Sequence, residues 1–346
     1  MTVVLASPED LAGVAQARRR PVRRQRLVVA ALSVLLLLVV AARVLLGDFT
    51  VTIPDLVRIL GGAEIPGATF IVMESKLPRA LLGVMVGLCL GLAGAIFQTS
   101  LRNPLASPDI IGVSMGASAS AVVGIVVLDL AGAELSVLAV SGALAVSVLT
   151  RWVAGPAGGQ RLVLVGVGVA AVLASVIQYL FTRADAWDAH LVLRWLTGSL
   201  QQADWPTLRW LGPVLLVLLP LTAVWARDLR ATELGADTAA GLGVSPRRTD
   251  LLLAVGVVLT SVAVAAAGPV AFVAFIAGPV SRALCGGRTS LTSAALVGAC
   301  VVVAADYAAD YLLADVNFPV GVVTGAAGAP FLLWLLASGR TGRRAA

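Results

Sequence analysis

The chain has 346 residues, of which 59% are hydrophobic and only 13% charged, with a formal net charge of +6. A soluble domain carries about 25% charged residues, so that class is excluded and a chain built largely inside a bilayer is indicated. The positive balance then reports membrane topology and gives no evidence for nucleic acid binding, while Cys89, Cys285 and Cys300 lack CxxC or zinc spacing and indicate neither a disulfide framework nor a metal site.

The predicted architecture is all-α, a polytopic membrane protein. Residues 1–26 form a polar, basic N-terminal segment, most simply an anchor on anionic lipid. The first apolar run, 27–46, reaches full span length with no cleavage pattern and reads as a retained span. Cutting the remainder at its charge and Pro/Gly clusters predicts further spans at 78–100, 110–128, 134–150, 162–181, 206–225, 250–267, 270–285, 291–313 and 319–337. That makes about ten transmembrane helices within a domain running from 27 to 338, followed by a tail at 339–346. The stretch 270–285 is the shortest of them.

Orientation follows from the positive charges near span ends. A cytoplasmic N-terminus puts eighteen of the 25 Lys and Arg residues inside, and leaves Arg43, Arg58, Lys76, Arg79, Arg183, Arg194 and Arg209 outside or at outer span ends. An even span count puts both termini in the cytoplasm. Tryptophan, which favours the headgroup level, closes spans inside at Trp152, Trp225 and Trp334 and gathers outside at Trp187, Trp195, Trp205 and Trp210.

Catalytic motifs fail on context. Gly166 and Gly168 in GVGVAA sit inside an uncharged run, where small residues serve helix packing rather than a dinucleotide. GVSMG at 112–116 has the form of a nucleophile elbow, yet His190, the only histidine, falls on the other side of the membrane and reads as an exposed loop residue. A phosphate-binding loop needs lysine after glycine, and the only lysine, Lys76, follows Ser75. The chain is therefore expected to be no enzyme, and ATP energy must come from another subunit. Gln98, Asp306 and Asp310 are polar groups inside spans; Asp306 and Asp310 lie four apart on one helix face. An ionised carboxylate at mid-bilayer costs about 2.5–3.5 kcal/mol, so both must face protein or water, as an ion relay or as a buried polar contact.

Five ordered blocks resemble the permeases of the iron-siderophore and vitamin B12 ABC importers: KLPRALLGVMVGLCLGLAGAIFQTSLRNPLASPDIIGVSMGAS (76–118), WLTGSLQQADW (195–205), LGADTAAGLGVSPRR (234–248), GPVAFVAFIAGPVSRAL (268–284) and FPVGVVTGAAGAPFLLWLL (318–336). The resemblance implies a ten-helix permease that pairs with a second permease, binds two cytoplasmic ATPase subunits and receives substrate from an extracytoplasmic binding protein. No cofactor is expected on this chain; ATP and Mg belong to the ATPase partners. The substrate class it implies is a ferric siderophore, with vitamin B12 or haem as alternatives, moved by alternating access in the cell membrane. A secondary transporter driven by ions through Asp306 and Asp310 is the competing class, and a membrane scaffold without transport the third.

The same resemblance assigns residues. The polar stretch 231–246 corresponds to the short helices that dock into the ATPase, with Leu234, Gly235, Ala236, Asp237, Thr238, Ala239, Ala240, Gly241, Leu242 and Gly243 as the coupling residues. Asn103, Pro104 and Leu105 correspond to a cytoplasmic gate, and Gly158 and Gly159 to a second gate position that often bears hydroxyls in relatives. Lys76 and Arg79 match a basic pair that engages the binding protein, and a third basic docking position reads as Asp310 here. Asn317 replaces an acid, and Gly278-Pro279 replaces Pro-His with Arg282 retained. These departures resemble subunits of heterodimeric ferric-siderophore permeases, so a non-identical permease partner is expected, one that compensates the charge reversal at Asp310.

Overall fold

A computed structural model describes residues 8–155, 158–311 and 317–337, and every regular element among them is helical. In chain order they are α1 (Pro8–Leu45), α2 (Ile53–Leu60), α3 (Ala68–Phe70), α4 (Leu77–Ser100), α5 (Val113–Val126), α6 (Gly132–Ala154), α7 (Gly158–Phe181), α8 (Ala186–Thr197), α9 (Trp205–Thr232), α10 (Ala236–Gly241), α11 (Pro246–Ala267), α12 (Val273–Leu284), α13 (Leu291–Tyr311) and α14 (Val320–Ala337). A π-helical turn, Ile71–Lys76, joins α3 to α4, and a 3-10 turn, Pro108–Ile111, precedes α5. Among the described residues, seven helices are long and apolar enough to cross a bilayer; three more, within α5, α12 and α14, are apolar but shorter. The expected tail at 339–346 lies outside the described residues.

Burial sorts the helices into an inner and an outer set. Of the residues in the apolar windows of α4 and α11, 78% and 72% are buried, against 17–22% for α1, α6, α7 and α9. Hence α4 is the axis on which α9, α11, α12 and α13 pack, while α5 packs against α6 and α7 and meets this group through α11. In a bilayer the outer helices find lipid as apolar as themselves, so close backbone approach rather than water exclusion selects the contacts. The sequence supplies that approach through glycine. A Cβ on Gly87 or Gly91 would overlap the backbone of α13 at Ala299 or Ala294, and one on Gly94 would overlap the carbonyl oxygen of Ala274 in α12. Replacing Gly94 by alanine is therefore expected to cost about 1–3 kcal/mol through overpacking. Gly168, with open space where its Cβ would go, is the control: thermal denaturation in detergent should separate the two alanine variants. Of the glycine pair assigned to packing, Gly166 does meet the carbonyl of Ile110, whereas Gly168 packs on nothing.

Helix ends differ from expectation where local chemistry intervenes. Residues 110–112, expected in the third span, belong instead to the 3-10 turn and to Gly112 at φ +84°, which starts α5. The eighth span shortens to α12 because the chain breaks at Gly268 (φ +70°), Pro269 and Phe272, a bulky residue held at φ +63°. Space for the Phe272 ring comes from Gly328 of α14, whose Cβ would overlap it. The segment after α7, expected as loop, contains α8: Asp185 caps it by accepting from the Trp187 and Asp188 amides at 2.9 Å. His190 is exposed as expected, but on this helix. The sixth span runs on to Thr232, well past its expected end at 225.

Candidate functional site

At the end of α9 the chain folds into a compact projection. Thr232 Oγ1 donates to the Leu229 carbonyl at 2.7 Å, and the Leu234 and Gly235 amides donate to the carbonyls of Ala231 and Thr232 at 3.1 and 3.2 Å. Gly235 takes φ +107°, a conformation costly for a side chain but open to glycine, and turns the chain into α10. Gly243 at φ +85° turns it back, and the Val244 amide donates to the Ala239 carbonyl at 2.9 Å. Ala239 and Val244 are buried and pin the turn, whereas Leu234 and Leu242 are each 62% exposed. Two bare leucines flank a one-and-a-half-turn helix, with Asp237 and Thr238 exposed between them. Arg248, at the start of α11, pairs with Asp228 of α9 at 3.2 Å and ties the two sides of the projection together.

Beside it runs the 101–112 loop. Arg102, at φ +49°, places its guanidinium against Gly235. The Asn103 amide donates to the Gln98 carbonyl at 3.1 Å, and the Asn103 side chain accepts from the Leu105 amide at 2.9 Å, an Asx turn that Pro104 stiffens. Leu105 packs with Phe275, Ile276 and Leu335. Underneath, buried Gln98 donates to the Phe275 carbonyl at 3.0 Å and accepts from Arg282 at 2.9 Å. Gly278 makes room for it, since a Cβ there would overlap the Gln98 amide oxygen. Glu233, next to the projection, lies within electrostatic reach of Arg282. The residues expected to couple and those expected to form the first gate thus meet through Arg102, Gln98 and Arg282. Gly158 and Gly159 are simply the first residues of α7, and α7 meets this loop further along, where Gly166 touches Ile110.

The opposite end of the bundle carries a four-residue charge cluster. Arg43 of α1 donates through Nε to Asp306 Oδ2 at 2.7 Å and through Nη2 to Asp310 Oδ2 at 2.9 Å. Arg79 of α4 reaches Asp306 Oδ1 at 2.7 Å and Asp310 Oδ2 at 2.8 Å. The guanidinium of Arg43 also lies 5.5 Å from the ring centre of Tyr311. Two cations and two anions, all with at most 12% of their side chains exposed, cancel in a low-dielectric setting. Nearby, Lys76 is 4% exposed and donates to the carbonyls of Leu46 and Phe49 at 2.7 and 2.6 Å.

Every member of the expected docking set has partners within the chain. Lys76, Arg79 and Asp310 are turned inward to protein partners, because an ionised group taken out of water needs a counter-charge or hydrogen bonds. The carboxylate at 310 is balanced within the chain by Arg43 and Arg79. Nor is Asp306 or Asp310 a free carboxylate of the kind an ion relay requires.

Three of the quoted blocks converge at this same end. The Ser199 amide donates to the Ala267 carbonyl at 2.7 Å, and the Gly321 amide to the Gly198 carbonyl at 3.1 Å. A Cβ on Gly198 would crowd the Pro269 carbonyl, and one on Gly321 would overlap that of Thr197. The segments around 198, 268 and 321 therefore lock backbone to backbone, which explains a glycine in each.

Residues 34–338 match the FecCD transport family. The chain belongs to that family. This FecCD chain is 37% identical over 297 residues to the ferric enterobactin transport system permease protein FepG of Escherichia coli strain K12, with 84% of this chain and 89% of FepG covered. It is 38% identical over 271 residues to the Fe(3+) dicitrate transport system permease protein FecD of the same strain, covering 77% and 85%. The hemin transport system permease protein HmuU of Yersinia pestis is 34% identical over 280 residues, covering 76% and 82%. Among solved structures, a chain of a metal-chelate type ABC transporter in an inward-facing conformation superposes with a TM-score of 0.79 at 23% identity, over 90% of this chain and 98% of that one.

Within the FecCD chain, sequence reasoning missed Arg43 and underused Arg282. The signal for both was a formal charge inside an apolar run, which demands a partner somewhere. It named Arg79, Asp306 and Asp310 but did not join them.

Proposed function

We propose that the chain is the permease subunit of an ATP-driven importer for ferric siderophores or ferric citrate, working by alternating access. Both termini and the 234–243 projection face the cytoplasm in this reading, two ATPase subunits grip the projection, and a second permease completes the path. ATP and Mg act at the ATPase partners, and a binding protein delivers substrate at the face bearing the Arg43–Asp306 cluster. The observation that carries the reading is a pair of bare leucines on a rigid turn at the end of α9, in a chain whose relatives are named as enterobactin, dicitrate and hemin permeases. Exposed apolar residues outside the lipid-facing belt mark a protein contact. Motion of the turn has a short route to Asn103–Leu105 through Arg102 and through Glu233, Arg282 and Gln98.

Uptake into proteoliposomes holding this chain, a second permease and the ATPase should depend on ATP and stop with vanadate. Uptake that follows an imposed proton gradient without the ATPase would overturn the proposal. The orientation has its own check. A cysteine placed at Leu242 is expected to react with a membrane-impermeant maleimide only in inside-out vesicles, and labelling of intact cells would reverse the topology.

A further inference from the structure

Between α1, α4, α9 and α13, at the end of the bundle that bears the coupling turn, lies a cavity of about 360 Å³. Its floor is apolar, formed by Leu88 and Leu92 of α4, and its walls are Leu219 and Ala223 of α9 and Leu296 of α13. Its mouth is polar, lined by Gln25 of α1, Arg230, Thr289, Ser290 and Thr292, with Gln25 Nε2 donating to Ser290 Oγ at 3.1 Å. Arg230 is exposed, its Nε touches only the Ala226 carbonyl of its own helix at 3.3 Å, and among the described residues no carboxylate pairs with it. The mouth also receives the N-terminus of α13 at Leu291. Ser290 caps that helix, its Oγ accepting from the Ser293 amide at 3.3 Å, which leaves the Leu291 and Thr292 amides at the mouth, and helix-leading amides of this kind favour anions.

We infer that this crevice is a binding site for one anionic phospholipid. The phosphate sits between the Arg230 guanidinium, the Thr289 and Thr292 hydroxyls and the Leu291 and Thr292 amides, and an acyl chain lies along Leu92, Leu88 and Leu219. Depth argues for lipid over a free anion. Leu219 and Arg230 lie eleven residues apart on α9, about 16 Å at 1.5 Å per residue, which matches half of the ~30 Å hydrocarbon core. A soluble phosphate would use the mouth and leave the apolar depth empty. The placement in the cytoplasmic leaflet rests on the orientation proposed above. Because Arg230 stands on the same helical extension that ends in the coupling turn, a headgroup held there tethers that extension to α13.

The test is native mass spectrometry of the purified transporter complex, released from detergent after incubation with phosphatidylglycerol or phosphatidylcholine. Phosphatidylglycerol should be retained preferentially, with affinity falling about tenfold in Arg230→Gln and largely recovered in Arg230→Lys. Arg209→Gln, at the far end of α9, should leave retention unchanged. Thr289→Val with Thr292→Val gives an independent loss if Arg230→Gln does not assemble. Equal retention of the two lipids, or wild-type retention in both site variants, overturns the inference. Displacement of phosphatidylglycerol by millimolar inorganic phosphate, with no lipid retained, would make the site one for free phosphate. If the Leu242 cysteine labels from outside while the lipid result holds, the topology fails and the site stands in the other leaflet.

Discussion

Asp306→Ala is expected to be more damaging than the glycine substitution at 94, costing about 3–5 kcal/mol of stability. The reason is what remains. Arg43 and Arg79 both bond to Asp306, and removing it leaves two buried guanidinium groups to share one carboxylate. The net charge of the cluster moves from zero to +1 in a region with little water, where an uncompensated ion is far more costly than the pair was valuable. Thermal unfolding of the detergent-solubilised chain should show a loss of many degrees. Asp306→Asn, which keeps the shape and one acceptor oxygen, should fall between. Replacing Arg43, Arg79, Asp306 and Asp310 together with apolar residues of like size should recover much of the loss, since buried ion pairs rarely outdo good apolar packing. An Asp306→Ala variant as stable as the parent would mean that the cluster is hydrated and not a structural clasp.

The second large effect is functional and leaves the fold intact. Leu234→Arg with Leu242→Arg is expected to abolish ATP-dependent uptake while the chain still inserts and purifies normally. Both side chains are exposed, so neither replacement disturbs a core, and Ala239 and Val244 still pin the turn. If each leucine fills a pocket on the ATPase, its loss costs about 2 kcal/mol, or roughly 30-fold in association. Co-purification of the ATPase should fall in step with uptake. Full uptake with the double variant would show that the turn is not the grip.

Much of this architecture was legible from composition and charge, because a span advertises itself as a long apolar run. The intervals around 78–100, 250–267 and 291–313 agree with α4, α11 and α13 within a few residues, since charges or prolines stand at their ends. Legibility failed where the backbone departs from a simple helix. The break at Gly268–Phe272 is set by packing of Phe272 into the space at Gly328, a contact between segments that hydropathy treats separately. The helix α8 was hidden by mixed Trp, His and Asp content, although Asp185 ahead of Trp187 and Asp188 was an available start signal. Pairing was the hardest part to read. Arg43 and Asp306 each announce a need for a counter-charge, but nothing in a single sequence says that each is the other's answer.

That pairing sets a problem of timing. Arg43 and Asp306 are separated by 263 residues, and at 5–20 residues per second a ribosome needs about 13–50 s to make that interval. For that time the first helix sits in the membrane with its cation unmatched. Arg43 lies two residues from the end of α1, close enough to the headgroups to wait there before the late helices arrive and draw it inward. Biogenesis of this chain therefore has a long vulnerable window, closed only when nearly the whole polypeptide has been synthesised.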